Sequence, residues 1–599
     1  DFEAEGRASY GSYNEVKVSG AASGPLTEDG SLLGRFSFFS NTRDGNVTNI
    51  DAKNGNEKMN DHNEWSGSGK LLYKPNSDFS LYLIGTYWQQ DQDCCVWTQR
   101  SVSDDPLGAF ATAQASLSRP LEPSEHNREA MIDYPSHQKS WNGALTLTAE
   151  YELSDYTIRS ITGWRNYHTK EFYDIDSTPQ PGLVAGSDSK IKQYSEELQF
   201  VSKSAKLEHT IGLFAMGQTI DTFSDFYGTF NILPASFPAR TVDDFAYKTF
   251  NAAVYGQATY HFDDQWALSG GARLLYDRIE SDYTHTPNSA AIGLLGPGGL
   301  FDFLLHPNPL VALGTPDAYS AEKSDVAETG MISLQYSPTR TTSAFVTLSR
   351  GYKGYGIDAD SGVGTGQATI VKPEIPTDLE IGLRSVLANK VAVSLTGFWT
   401  EIDDFQAFSY DPLTARSKVR NVGKVRTRGV ELEMFGNPLE NLSVNGGITY
   451  TNAVIREYPS AGCYRDQTAA EGCVGGVQDL AGKRLPNAPK WSLNASTTYS
   501  QPLPETTLAA FITGDVSWRS EVLYDLGQDP NTIQGSYAIF GGRIGLKDEM
   551  NEWQIALWGK NLLNKDYAAA IFGSPYLYTG YSQFLGTERT FGVEVSAKF

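Results

Sequence analysis

The last ten residues, Thr590 to Phe599, place an apolar side chain at every second position. Phe591, Val593, Val595, Ala597 and Phe599 share one parity, and Thr590, Gly592, Glu594, Ser596 and Lys598 share the other. Side chains on a strand point alternately to its two faces, so this segment is a strand with one greasy side and one wet side. The pattern returns along most of the chain. Trp141, Leu145, Leu147, Ala149 and Tyr151 oppose Asn142, Thr146, Thr148 and Glu150. Phe250, Ala252, Val254, Ala258, Tyr260 and Phe262 likewise oppose Asn251, Tyr255, Gln257, Thr259 and His261. One protein core could not absorb so much apolar strand surface. Hydrocarbon could, and the wet sides would then line a lumen. The alternation predicts an all-β, transmembrane antiparallel β-barrel.

Of the 599 residues, 40% are hydrophobic and 12% aromatic, yet no uninterrupted apolar stretch reaches the ~18 residues of a transmembrane helix. A barrel needs none, because alternation halves the hydropathy of each crossing. Inside lipid every backbone N–H and C=O must find a partner within the protein, which only helices and closed barrels achieve. With helices excluded, closure follows. The 71 Asp and Glu outnumber the 48 Lys and Arg, for a net charge of -23. That argues against nucleic acid, which wants a basic footprint. The acidic excess suits solvated loops, or a vestibule that attracts cations.

Short polar turns alternate with long polar stretches. The turns include Lys74–Asp78, Ser154–Asp155, Asp263–Gln265, Pro338–Thr341, Asn389–Lys390, Glu440–Asn441, Pro504–Thr506 and Asn551–Glu552. In outer-membrane barrels short turns face the periplasm and long loops face outward. Walking from turn to turn gives 22 crossings, among them 4–11, 191–203, 207–226, 246–262, 342–357 and 586–599. The even count puts both chain ends on the periplasmic side. Tyr73, Tyr151, Phe262, Tyr336, Tyr499 and Phe599 sit at short-turn ends and would form an inner aromatic girdle. Charges should keep to the wet parity, as Glu594 does, since Lys or Arg on the lipid face at mid-depth costs about 2–4 kcal/mol.

Catalytic and metal signatures are missing. The His residues at 62, 126, 137, 168, 209, 261, 285 and 306 are scattered, without H-E-x-x-H, and no G-x-S-x-G elbow occurs. Neither an enzyme nor a cofactor is expected. The Gly-rich runs Gly351–Gly356 and Gly362–Gly366 lie between strands, whereas a phosphate loop precedes a helix. Asn46–Glu64 carries Asp51, Glu57, Asp61 and Glu64, but Lys53 and Gly55 stand where a calcium loop needs oxygen donors. No Cys/His spacing suits zinc. Cys463 and Cys473 flank a Gly-rich polar segment and would staple a loop. Cys94 and Cys95 would then form a strained vicinal bridge or remain two thiols.

Several phrases, in order, resemble the barrel of TonB-dependent outer-membrane receptors: SYGSYNEVKVSGAASGPL (9–26), GRFSFFSNTRDGNVTN (34–49), KLLYKPNSDFSLYLIGTYWQQDQDCC (70–95), LSRGYKGYGID (348–358) and KPEIPTDLEIGLRS (372–385). The series continues with NVGKVRTRGVELEMFGNPLENLSVNGGITYTNA (421–453), GKRLPNAPKWSLNASTTY (482–499) and WGKNLLNKDY (558–567), and closes on TFGVEVSAKF (590–599). The flavour is that of iron-complex receptors from sphingomonad-like bacteria. The resemblance covers the whole chain, so residues 1–599 are expected to be one barrel domain. It implies an importer of a bulky, scarce solute such as a ferric siderophore, with aromatic compounds, cobalamin and glycans as alternatives. It also implies partners: outer-membrane lipid and lipopolysaccharide, the TonB complex, and the assembly machinery that reads the closing strand. Family members carry a plug ahead of the barrel, with a TonB-contacting box. Here barrel strands begin at the first residues, so the plug is expected upstream of Asp1 or as a separate polypeptide. A plugless passive channel is the rival expectation.

Ligand capture is expected of the outer loops, roughly 93–139, 227–245, 285–323, 358–373, 458–483 and 567–585. Their aromatics Trp97, Phe110, Phe301, Tyr319, Phe572, Tyr576 and Tyr578 could stack on a solute or pack the loops together. Extending the inward parity of the strand over 342–357 gives Thr347, Ser349, Gly351 and Lys353, followed by Tyr355. In the resembled family this strand opens towards the ligand vestibule, which makes Lys353 and Tyr355 the leading binding candidates, with Trp97 and Tyr319 behind them.

Overall fold

The computed structural model describes residues 2–50, 58–102, 121–175, 183–202, 204–232, 235–296, 314–358, 366–411, 416–464, 466–573 and 580–599. A sheet of 22 strands dominates it. The strands are β1 (Glu3–Gly11), β2 (Glu15–Pro25), β3 (Leu32–Arg43), β4 (His62–Tyr73), β5 (Phe79–Gln92), β6 (His137–Glu152) and β7 (Tyr156–Asp174). Next come β8 (Leu183–Ser202), β9 (Leu207–Ile232), β10 (Ala235–His261), β11 (Trp266–Pro287), β12 (Asp317–Thr339), β13 (Thr342–Arg350), β14 (Ile375–Leu387) and β15 (Val391–Asp411). The last are β16 (Arg416–Leu439), β17 (Leu442–Glu457), β18 (Trp491–Pro502), β19 (Leu508–Arg519), β20 (Tyr537–Asp548), β21 (Trp553–Lys560) and β22 (Thr590–Lys598). Each pairs antiparallel with the next. β22 returns to β1, with Glu5 opposite Lys598 and Gly11 opposite Gly592. The sheet is closed and has no free lateral edge to its first and last strands, as spanning a bilayer requires.

Alternation decides which side each residue takes. Leu213 is 53% and Ile381 59% exposed, although both sit mid-strand, because their parity faces outward. The opposite parity carries a polar mesh: Arg159 donates to Glu150 at 2.5 Å and to Gln199 at 3.2 Å, and Gln199 donates to the Tyr255 hydroxyl at 3.0 Å. Glu594 lies on this side, paired with Arg543 and 3.8 Å from Arg7. The inner-girdle aromatics expected from the turns are exposed, apart from half-buried Tyr336, which stacks on Trp266 at 4.4 Å. A second ring appears higher up, with Trp65, Tyr87 and Trp141 in file and Tyr450 against Trp491 at 4.8 Å. Trp141 and Tyr151 of β6 thus bracket an apolar band about 25 Å tall.

Three details depart from the sequence-based expectation. Glu196 breaks the rule on charges. It shares the outward parity of Tyr194 and Phe200, is exposed, and its carboxylate takes hydrogen bonds from Ser160 at 2.7 Å and Thr162 at 2.6 Å. These hydroxyls stand in for water around a group otherwise surrounded by apolar side chains. Secondly, β9 and β10 continue through the stretch 227–245 expected as a loop, pairing up to Ile232 opposite Ala235. Above the bilayer the ladder is sustained by polar cross-strand pairs such as Arg240 with Asp225 at 2.9 and 2.7 Å. Thirdly, β13 ends at Arg350, short of the expected 357, whereas its neighbour β12 rises to Asp317.

Above the wall sits a crown of packed segments. Val47–Asn49, Lys58–Met59 and Glu129–Ala130 form one small sheet, and Thr98–Val102, Ala568–Gly573 and Gly580–Leu585 form another. Small cores underlie them, including Val47, Met59, Val96, Ala130 and Ile132. Arg128 ties segments far apart in the chain, 3.0 Å from Asp566 and 2.8 Å from Glu588. Both disulfides are formed, Cys463 with Cys473 and the vicinal Cys94 with Cys95. Asn60 holds the vicinal turn by accepting from the Cys95 and Val96 amides and donating to the Val96 carbonyl.

Candidate functional site

The early end of β13 shapes the mouth. With no strand to continue into, Gly351–Tyr355 turns across the rim and is pinned to β14 and β15. Lys353 exchanges backbone hydrogen bonds with Glu374, each at 3.0 Å, and Gln406 reaches the carbonyls of Gly354 and Lys372 at 2.9 Å. Asn421 adds bonds to the amide and carbonyl of Lys372, 2.8 and 3.0 Å. A Cβ at Gly354 would lie 2.2 Å from Asp277 Oδ2, so any larger residue here would push the Asp277 carboxylate aside.

Two recesses open beside this turn. One, of about 1030 Å³, is lined by Arg350, Tyr352, Tyr355 and Lys372 and also by outward-facing Val326 and Ile332, so it opens partly towards the outer face of the wall. The other, of about 630 Å³, faces the lumen and includes Tyr255, Gln257, Arg273, Asp277 and Tyr352. Tyr352 borders both and donates to Asp325 at 3.2 Å. Burial, with the Asp325 and Asp277 carboxylates nearby, pushes its phenol well above the ordinary value, so it stays a neutral donor. The Arg273 guanidinium lies 5.0 Å from the Phe214 ring and 5.9 Å from the Tyr255 ring, which holds a cation flat against the wall. Cations, carboxylates and aromatic faces together suit a large polar solute carrying both charge and rings.

The four leading candidates fall in different settings. Tyr355 lines the larger recess, its ring 5.9 Å from Lys323 Nζ. Lys353 pairs with Glu374 at 3.0 Å and keeps a side chain 58% exposed. Trp97 meets Phe572 and Phe584 edge-on, at 5.8 and 6.3 Å. Tyr319 is only 6% exposed, tilted against Tyr283 with its hydroxyl 3.3 Å from the Asp358 carbonyl. Phe110, Phe301, Tyr576 and Tyr578 lie outside the described residues, as do Asp51 and Glu57 of the acidic segment. Asp61 and Glu64 serve locally, accepting from the Asp93 amide and the Trp88 indole. No group of three His, Cys, Asp or Glu able to hold a metal occurs among the described residues.

Tyr352, Arg273 and Tyr255 were not singled out in the sequence. Tyr255 was readable as inward-facing, and Arg273 shares the inward parity of β11. Tyr352 was not, because period-two counting from Thr347 passes over it, and the period lapses where β13 stops.

Residues 98–562 match the family described as TonB dependent receptor-like, beta-barrel. That span is most of the chain, and the protein belongs to this family. It is therefore an outer-membrane β-barrel, from a family of transporters rather than enzymes. The pesticin receptor of Yersinia pestis is 21% identical over 560 residues, which cover 91% of this chain and 69% of that receptor. Against the pesticin receptor of Yersinia enterocolitica the match spans about half of the relative, 52%. Among solved structures, the ferric yersiniabactin uptake receptor FyuA from Yersinia pestis superposes with a TM-score of 0.75 at 17% identity, covering 100% of this chain and 80% of that one. The siderophore receptor PiuA from Acinetobacter baumannii gives 0.72 at 17%, covering 100% and 82%. At such identities the likeness is one of fold.

Proposed function

We propose that this chain is the barrel of an energy-coupled importer that carries a bulky, scarce solute across the outer membrane, with a ferric siderophore as the substrate class. The observation that carries the reading is the mouth turn Gly351–Tyr355, which sets charged and aromatic side chains beside a recess on the polar lumen and beside a second recess that also takes in outward-facing Val326, Ile332 and Leu348. Solutes of this class combine anionic oxygen donors with rings. Arg273 and Lys372 offer charge to the former, and Tyr352, Tyr355 and Tyr255 offer faces to the latter. Relatives named as siderophore receptors support the same class.

Movement of the solute needs a plug that TonB can pull, and in this reading a plug domain fills the lumen, from upstream of Asp1 or as a separate polypeptide. The closing strand ending at Phe599 is the segment that the assembly machinery reads. Growth of the source cell on ferric siderophores as sole iron, with the full-length gene deleted and then restored, tests the function. Restored uptake that also requires TonB supports it. Uptake independent of TonB, together with steady conductance of the native product in planar bilayers, would favour a passive channel. Tyr352→Ala and Tyr355→Ala are expected to weaken ligand binding by about tenfold each, as loss of one stacked ring does.

A further inference from the structure

The outward face of β15–β17 carries an arginine cluster turned away from the lumen. Arg428 shares the parity of Val430, Leu432 and Met434, all exposed on the lipid side. It sits directly opposite Trp399 of β15, and Arg426 sits one outward step higher, opposite Glu401 and Val454. Both guanidiniums lie 5.1 Å from the centroid of the exposed Trp399 ring. Arg456, in the bulge at the top of β17, is exposed and adds its charge to theirs. Tyr450 and Trp491 mark the upper aromatic ring one register step below. The three arginines thus stand at headgroup height, just above the hydrocarbon.

Glu401, opposite Arg426, offsets part of one of these charges, but it makes no close ion pair. Among the described residues none of the three has a carboxylate within 4.0 Å, and Arg426 Nε is buried without a hydrogen-bond partner. Neighbouring cations show the ordinary arrangement. Lys424 pairs with Asp403 at 2.9 Å. Arg278, above Tyr276 on the outward face of β11, pairs with Glu280 at 2.5 Å and Glu322 at 2.9 Å. Three guanidiniums without a close ion pair converge here and leave a positive surplus beyond what Glu401 offsets, which an anion from outside would balance. A guanidinium fork fits phosphate oxygens two at a time, and the ring of Trp399 fixes two forks side by side.

We infer that Arg426, Arg428 and Arg456 form a binding site for the phosphate-bearing headgroup of an outer-leaflet glycolipid. The source is lipid rather than a free anion because the cluster faces the bilayer, beside residues that contact hydrocarbon, and not the lumen. The inference does not depend on which solute is transported. Bound lipid would clamp β16 to β17 at the bulge, where the ladder between Lys424 and Val425 shifts register.

The test is native mass spectrometry of the delipidated receptor titrated with bisphosphorylated lipid A, its dephosphorylated counterpart, and inorganic phosphate as competitor. The wild-type protein should prefer the bisphosphorylated lipid. The Arg426→Gln/Arg428→Gln/Arg456→Gln variant should lose on the order of 100-fold in that affinity, three surface charges acting near one headgroup. Arg278→Gln should leave it unchanged. Should the triple variant fail to fold, Arg428→Gln and Arg456→Gln singly should each show a partial loss, and the corresponding lysine variants should recover part of it. Equal binding of both lipids, equal affinity in variant and wild type, or full displacement by millimolar phosphate would each overturn the assignment.

Discussion

The wall and the crown are held by different physics. In the wall every residue has two strand neighbours and one of two solvents, so parity alone fixes whether Leu213 meets hydrocarbon or Gln257 meets the lumen. In the crown, contacts join residues hundreds of positions apart, as when Arg128 meets Asp566 and Glu588. The wall is thus a local code repeated 22 times, while the crown is a set of individual agreements. Substitutions should therefore follow a rule in the first region and a case history in the second.

The largest expected effect breaks the rule of the wall. Leu213→Arg should destabilise the barrel by about 2–4 kcal/mol, and Gln257→Arg, close by in the next strand but facing the lumen, by less than about 1 kcal/mol. Denaturant unfolding in vesicles measures both, and equal costs would abolish the distinction. Next in size, Arg128→Ala should raise hydrogen exchange across residues 566–573 and 580–588 with a local loss of about 2 kcal/mol, leaving the wall protected. Protection lost equally in both regions would show that crown and wall unfold together.

Smaller changes sharpen the comparison. Glu196→Gln removes a carboxylate from the lipid face while retaining an acceptor for Ser160 and Thr162, and should stabilise the barrel by up to about 1 kcal/mol. A loss of stability would mean that the charge has a partner or a task. The smallest effect is a pH dependence at the loop stapled by Cys463 and Cys473. There, bonds from the Thr468 amide and hydroxyl hold the Glu471 carboxyl below its usual value. A depressed carboxylate contributes above its unfolded value and the contribution is lost as pH falls through the folded one. Exchange protection of residues 468–473 should therefore be flat at neutral pH and fall in acid below the ordinary Glu range. Glu471→Gln should remove that dependence.

Most of the wall was legible in the sequence. Thr590–Phe599 announced the period, Ser154–Asp155 and Asn389–Lys390 announced the turns, and the girdle followed from aromatics at constant distance from them. What failed was information the period does not carry. Where β9 and β10 leave the bilayer, polar cross-strand pairs extend a ladder with no apolar face to reveal it. Where β13 stops, parity ceases to mean anything, and Tyr352 rather than Gly351 or Lys353 comes to border both recesses. Glu196 sits at an outward position because two hydroxyls on the adjoining strand receive it, a relation between strands rather than along one. Of the mouth, sequence could supply Lys353 and Tyr355 through resemblance, but Arg273 and Asp277 join them only through the pairing of β11 with β12 and β12 with β13.

Accessibility measured along one strand tests whether the outward parity faces hydrocarbon. Spin labels placed singly at 211 to 217 of β9 in outer-membrane vesicles should collide with oxygen at odd positions and with a water-soluble nickel chelate at even ones. The opposite phase, or access to the chelate at every position, would contradict it.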